Sequence, residues 1–349
     1  MSDQKRSPFI IIAAVIIVIA GLMQAQSIVV PILLSLFISI VCTQPILWLS
    51  KKKVPFTIAV ILVLMGILLI FLLIGGLIGE SLSEFAKDAP KYEERLKNIF
   101  QDTMVQLNQM GIQMNSDQIL QILDPKKILN FSANMVGQLG GIMSNSFLIM
   151  LITIFILLEL NAFALKARVI ELKHGNSLKY LNKIGVSIRS YLSIKTIVSL
   201  LTGILITIYL YIIGVDYAIL WGVIAFMLNY IPNIGSIIAA VPTMLLALVQ
   251  LGFGGMLWTA LAYLAVNMII GNIVEPKVMG KGLGLSTLVV FLSLVFWGFI
   301  FGSVGMFLSV PLTMTIKIIL ESNKNTGWVA VLLGTEEETK RSLAESSKG

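Results

Sequence analysis

Across the 125 residues from 196 to 320 the chain carries five formal charges, Asp216, Glu275, Lys277, Lys281 and Lys317, in an otherwise almost unbroken apolar run. Such a stretch must be divided into membrane-crossing helices, each needing about 20 apolar residues. The polar exceptions then become the informative positions. Asp216, Asn229, Asn233, Asn267, Asn272 and Glu275 all lie in this stretch. A polar or ionised group at bilayer depth costs about 2.5–3.5 kcal/mol on insertion scales, so it faces a protein interior or a water path. Several of them beside Pro and Gly breaks read as a pathway for a solute or ion.

The whole chain agrees with a membrane class: 57% apolar, 12% charged, mean hydropathy +0.94. In a soluble chain the net charge of +7 would point to nucleic acid. Here the charges sort by loop, which is a topology signal, so the expected partner is the lipid bilayer and no nucleic acid. Enzyme signatures are missing: the sequence holds no G-x-x-x-x-G-K-[ST], no G-x-S-x-G and no His-Glu-x-x-His. One cysteine, Cys42, and one histidine, His174, leave no ordinary metal site or Cys–His pair, so neither cofactor nor metal is expected.

Run lengths and charge give the organisation. Residues 1–79 hold three spans, Phe9–Met23, Ile28–Leu49 and Ile58–Ile78, with Lys5, Arg6 and Lys51–Lys53 at the ends of the first pair. Phe9–Met23 also resembles a signal peptide, but an uncleaved hairpin accounts for both basic ends. Residues 80–138, net charge −2, form a small helical insert. Its stripe of Leu82, Phe85, Ala89, Tyr92, Leu96 and Ile99 marks an amphipathic helix. Pro90 starts a new helix or kinks this one, and Asn115–Gln118 and Asp124-Pro125 look like further helix starts. Residues 139–195 hold a fourth span and a segment from 166 to 195 of net charge +6. The positive-inside rule places that segment in the cytoplasm and the insert outside.

Residues 196–321 form the expected transport core. Tyr217–Ile231 and Ile234–Leu251 are short and joined at Pro232-Asn233, the pattern of broken or re-entrant helices that line a site. Gly255–Val274 follows, then a hairpin of Leu285–Phe301 and Val304–Leu320. The two hairpins share a weak echo, a Gly (Gly235, Gly305) followed by an apolar stretch to Pro (Pro242, Pro311). The tail 322–349 is polar and expected to be largely mobile. The fold class is therefore all-α and polytopic, with both termini cytoplasmic.

Glu275 is the sharpest site candidate. Asn272 precedes it by three positions, sharing one face of an α-helix, with Asn267 and Gly271 on adjoining turns. Pro276 frees the Asn272 carbonyl, so carboxylate, amide and carbonyl can together hold a proton, a small cation or a polar solute. The plain alternative is that Glu275 pairs with Lys277 or Lys281 at the membrane edge. Asp216 reads best as a helix N-cap after Gly214. Glu159 is placed to pair with Lys166 or Lys195, and Lys195 to snorkel to the interface. Asn229, Pro232, Asn233 and Gly235 form the sharpest break, where free backbone groups need partners. Trp48, Trp221, Trp258 and Trp297 read as interfacial anchors.

Asn229-Tyr-Ile-Pro-Asn-Ile-Gly235, Asn272-Ile-Val-Glu-Pro-Lys277 and the run Met279-Gly-Lys-Gly-Leu-Gly-Leu-Ser-Thr-Leu288 resemble the AI-2E (autoinducer-2 exporter) family. Phe296-Trp-Gly298, Gly305-Met-Phe-Leu-Ser-Val-Pro-Leu-Thr313, Tyr191-Leu-x-x-Lys-Thr196 and the Leu-Leu-Glu159 ending continue the likeness, densest from Tyr191 to Glu321. The resemblance implies export of autoinducer-2 across the bacterial inner membrane, driven by an ion gradient, by a homo-oligomer, plausibly a pentamer. Other members resemble sodium–proton antiporters. Three readings follow: an exporter with Glu275 as its coupling carboxylate, a monovalent cation/proton antiporter using the same carboxylate, or a non-transporting assembly protein.

Overall fold

Apolar segments without access to water must satisfy their backbone groups internally, and helices do so within one segment. The computed structural model describes residues 8–109, 146–174, 178–232, 234–279, 284–323 and 325–346, and contains no strand among them. Among the described residues, five helical stretches are long and apolar enough to cross a membrane: 26–51, 56–85, 183–213, 235–278 and 287–322. The protein is an all-α, multi-pass membrane protein.

The described helices are α1 (Pro8–Gln24), α2 (Gln26–Lys51), α3 (Phe56–Gln109), α4 (Ser146–His174), α5 (Leu178–Ile213), α6 (Ala218–Leu228), α7 (Gly235–Val266), α8 (Glu275–Met279), α9 (Thr287–Ser322), α10 (Gly327–Leu333) and α11 (Glu336–Ser346). Between α7 and α8 the chain forms a π-helix, Asn267–Val274. These elements divide into two compact units. One comprises 1–63, 147–193 and 281–349; the other comprises 64–146 and 194–280.

In the first unit, α2 turns a face of small polar residues inward. Ser35, Ser39 and Thr43 recur every four residues, and each hydroxyl bonds the carbonyl four residues before it, at 2.7–2.8 Å. Ser35 Oγ also lies 2.9 Å from the Ile149 carbonyl of α4. Small side chains let helix backbones approach closely where no water drives association. The α9 apolar cluster of Trp297, Ile300 and Phe301 packs against Ile19, Leu22, Val29 and Leu33 of α1 and α2.

In the second unit, the insert's apolar stripe finds its partner. Phe85, Tyr92 and Leu96 are buried in one cluster with Ile206, Leu210, Trp221, Ile224 and Leu246. Helix α3 runs unbroken through Pro90. The proline is exposed, so its single missing N–H donor falls where water can serve the freed carbonyl. The helix starts expected at 115–118 and 124–125 lie outside the described residues.

Helices α7 and α9 are each broken at a glycine in place of a loop. Gly252 has φ 73°, ψ −167° and Gly302 has φ 63°, ψ −146°. Side chains are essentially excluded from that region of backbone space, so each glycine alone divides its hairpin. Two expectations need correction. The tail is not an open coil, since α10 packs on α9 and α11 follows it. Trp221 and Trp297 are buried, not interfacial, whereas Trp48 and Trp258 are exposed. Trp297 is held inside by its Nε1–H, which donates to Thr313 Oγ1 at 2.9 Å.

Candidate functional site

Lys195 organises the site. On α5 it begins a face of Lys195, Ser199 and Thr202, spaced four and three residues apart and all buried. Its side chain is 4% exposed, and its ammonium donates to Glu275 Oε1 at 2.7 Å. The glutamate side chain is 20% exposed. Lys195 therefore does not snorkel, and Glu275 pairs with a lysine 80 positions earlier in the chain rather than with Lys277; Lys281 lies outside the described residues. Removing either partner would leave the other charge buried and uncompensated.

Glu275 reaches Lys195 from the first position of α8, directly after the π-helical segment. A π turn closes i→i+5 hydrogen bonds and is wider than an α turn. Pro276, at the second position of α8, has no N–H to offer the carbonyls of the π-helical segment before it. The wider turn also undoes the expected α-helical face. Asn272 is exposed, whereas Glu275 is half-buried against Lys195. Asn267 instead lies over Gly271, where an added Cβ would stand 3.2 Å from Asn267 Oδ1.

The break between α6 and α7 sits beside the same face of α5. Asn229 Nδ2 donates to Ser199 Oγ at 3.1 Å, and the Tyr230 hydroxyl donates to Thr196 Oγ1 at 2.8 Å. Both acceptors lie within about one turn of Lys195. The break itself is a series of tight turns: Ile231 N–H to Leu228 O at 2.8 Å, Ile234 N–H to Pro232 O at 2.7 Å and Gly235 N–H to Ile231 O at 3.2 Å. A side chain at Gly235 would collide with the Leu228 carbonyl. Only glycine allows that return. Pro232 is half-buried within the turn. Asn233 lies outside the described residues.

Sequence reasoning ranked Glu275, Lys195 and Asn229 separately and missed that they converge on one helix face. It also missed Thr196, Ser199 and Tyr230. The available signal was a run of hydroxyls one and four positions after a lysine in an apolar helix. The combined site holds a buried ammonium, one partly exposed carboxylate, hydroxyls and an amide. Protonating the carboxylate would leave the ammonium seeking an oxygen acceptor. No group of three or more His, Cys, Asp or Glu residues able to hold a metal occurs among the described residues.

The other candidates lie elsewhere. Glu159 pairs with Lys166 at 2.6 Å, and both are exposed. Asp216 is not a helix cap: the cap position of α6 is Tyr217, in the left-handed region at φ 58° with no side-chain capping bond. Asp216 instead accepts from the Tyr92 hydroxyl at 3.0 Å and from Gln250 Nε2, while its own N–H donates to Gln250 Oε1 at 3.0 Å. The neighbouring Tyr217 hydroxyl donates to Asp88 at 2.7 Å. This network ties α3 to the α5–α6 turn and to α7 two residues before Gly252. Burial pushes the Tyr92 phenol above its ordinary range.

Comparison with known proteins gives a consistent result. The family model described as AI-2E family transporter matches residues 11–325. A "Putative transport protein" of Haemophilus influenzae is 43% identical over 335 residues, covering 94% of this chain and 96% of its own length. The "AI-2 transport protein TqsA" of Escherichia coli is 37% identical over 324 residues, covering 93% and 94%. A "Sodium-lithium/proton antiporter" of Halobacillus andaensis is 26% identical over 362 residues, covering 93% and 96%. With its helical membrane architecture and a family match over nearly its whole length, this chain belongs to the AI-2E family of transporters.

Proposed function

We propose that this protein is a secondary transporter that exports a small polar signal molecule of the autoinducer-2 type across the bacterial inner membrane, coupled to an ion gradient. Both termini are cytoplasmic in this reading, the 80–138 insert lies outside, and the working form is a homo-oligomer. The observation that carries the reading is the Lys195–Glu275 pair at 2.7 Å, buried on the lysine side and partly open on the glutamate side. A proton arriving at Glu275 neutralises it and releases Lys195. The freed ammonium, with the hydroxyls of Thr196 and Ser199 beside it, then binds the oxygens of a small polar solute. Loss of the proton restores the pair and expels the solute. Asn229, Tyr230, Pro232 and Gly235 shape the break against this face, with Asn267 and Asn272 on the π turn that carries Glu275. The 37% identity to a relative named as an AI-2 transport protein supports the choice of solute.

A second reading, monovalent cation/proton antiport, is favoured by the relative named as a sodium-lithium/proton antiporter. The site chemistry disfavours it, because the charged neighbour of Glu275 is an ammonium, which repels a cation from the same carboxylate. Purified protein in proteoliposomes with an imposed pH gradient separates the two. The exporter reading expects gradient-driven movement of labelled autoinducer-2 and no sodium response. Sodium-dependent proton movement without autoinducer-2 flux would overturn it.

A further inference from the structure

The transport reading leaves unused the second buried lysine, Lys317, near the end of α9. Three oxygens meet its ammonium: the Gly284 carbonyl and Glu338 Oε2, each at 2.5 Å, and Glu321 Oε1 at 3.7 Å. Glu321 is in turn bonded to Lys183 at 2.5 Å. The chain makes room for this arrangement at two glycines. A Cβ at Gly284, where φ is +66°, would stand 3.1 Å from Glu338 Oε1 and 3.2 Å from Lys317 Nζ. A Cβ at Gly334 would stand 3.1 Å from Glu338 Oε2. Glu338 therefore enters a notch lined by two residues that lack side chains.

The segments involved have a common geometry. Gly284 and Ser286 precede the first residue of the α9 hairpin, and Ser286 caps it, its Oγ accepting from Val289 N–H at 3.3 Å. Lys317 lies near the hairpin's last residue. The tail binds both ends: Leu333 O accepts from Ser286 N–H at 3.1 Å, and Glu338 accepts from Lys317. Between these ends the hairpin has its break at Gly302, in a backbone conformation open essentially to glycine alone, which offers a natural hinge.

We infer that the tail helices α10 and α11 form a strap, with Glu338 as its clasp, that holds the two ends of the α9 hairpin together by an ion pair to Lys317. The clasp is designed to open from the tail side, because the Glu338 side chain is half-exposed while that of Lys317 is 6% exposed. Salt or neutralisation of Glu338 weakens it without unfolding the hairpin.

Hydrogen exchange on the full-length protein in lipid tests this, comparing wild type, Glu338→Gln and Glu336→Gln. Glu336 belongs to the same acidic turn but pairs with Lys340 on its own helix, so it is the control. The strap predicts several-fold faster exchange in Glu338→Gln at both 284–290 and 314–322, wild-type behaviour in Glu336→Gln, and the Glu338→Gln pattern in wild type at high salt. Truncation after Gly334 should reproduce the same pattern. Faster exchange in α11 alone, with both hairpin ends still protected, would overturn the inference, as would equal effects of the two glutamate variants. The readout needs no transported solute, so it stands or falls apart from the transport reading.

Discussion

Among the described residues each of the two units buries one lysine ammonium, and the two are satisfied very differently. Lys317 has three oxygen partners drawn from the start of its hairpin, its own helix and the tail. Lys195 has one carboxylate partner among the described residues, Glu275, carried on a π turn next to a helix break. A charge held by several groups at once is fixed in place. A charge held by a single titratable group is released whenever that group takes a proton. On the proposed mechanism the difference separates a structural fastening from a working site, although both look alike in sequence as isolated lysines in apolar helices.

Breaking each pair from its carboxylate side tests the comparison most strongly. Removing one member of a buried pair costs about 3–5 kcal/mol, and Glu275→Gln should fall near the lower end because the glutamate is partly exposed. The same variant should lose gradient-driven flux. Unfolding in detergent should show the double variant Lys195→Met/Glu275→Gln recovering much of the stability but none of the coupling, since no ammonium is then left unpaired. Alanine at Gly252 or at Gly302 should each cost about 1–3 kcal/mol, because both occupy backbone space closed to side chains. Similar losses at both positions would show that the hairpins share one device while the lysines do not. Glu338→Gln should cost about 1 kcal/mol or less, as expected for a half-exposed carboxylate, and leave flux coupling intact.

The smallest effect concerns pH. The Tyr92 phenol is pushed up chiefly by burial, so the folded state resists its ionisation. Its stabilising contribution is complete below the unfolded value of about 10 and is lost as pH rises past it. Unfolding midpoints should therefore fall more steeply on the alkaline side in wild type than in Tyr92→Phe.

Much of this was legible before the structure. Apolar run lengths located the long apolar helices, and the Pro232-Asn233 junction located the break between α6 and α7, because both depend on local sequence. The amphipathic stripe through Phe85, Tyr92 and Leu96 named the buried face of α3. Partner choice was not legible. Lys195 and Glu275 are 80 residues apart, and nothing local to either distinguishes that pairing from Glu159 with Lys195 or Glu275 with Lys277. The π-helix was also hidden, since α and π turns draw on the same residues and differ by one hydrogen-bond step. Asp216 followed the usual cap composition, yet Tyr217 took the cap position once Asp216 was engaged by Tyr92 and Gln250.

The most direct test of the central claim is to compare exchange and accumulation in proteoliposomes of wild type and Glu275→Gln. If the Glu275 carboxylate couples the gradient to the solute, the variant will still exchange labelled for unlabelled autoinducer-2 at equal pH but will not accumulate it against a concentration difference. Accumulation by the variant at the wild-type level would contradict the account and remove the Lys195–Glu275 pair from the transport mechanism.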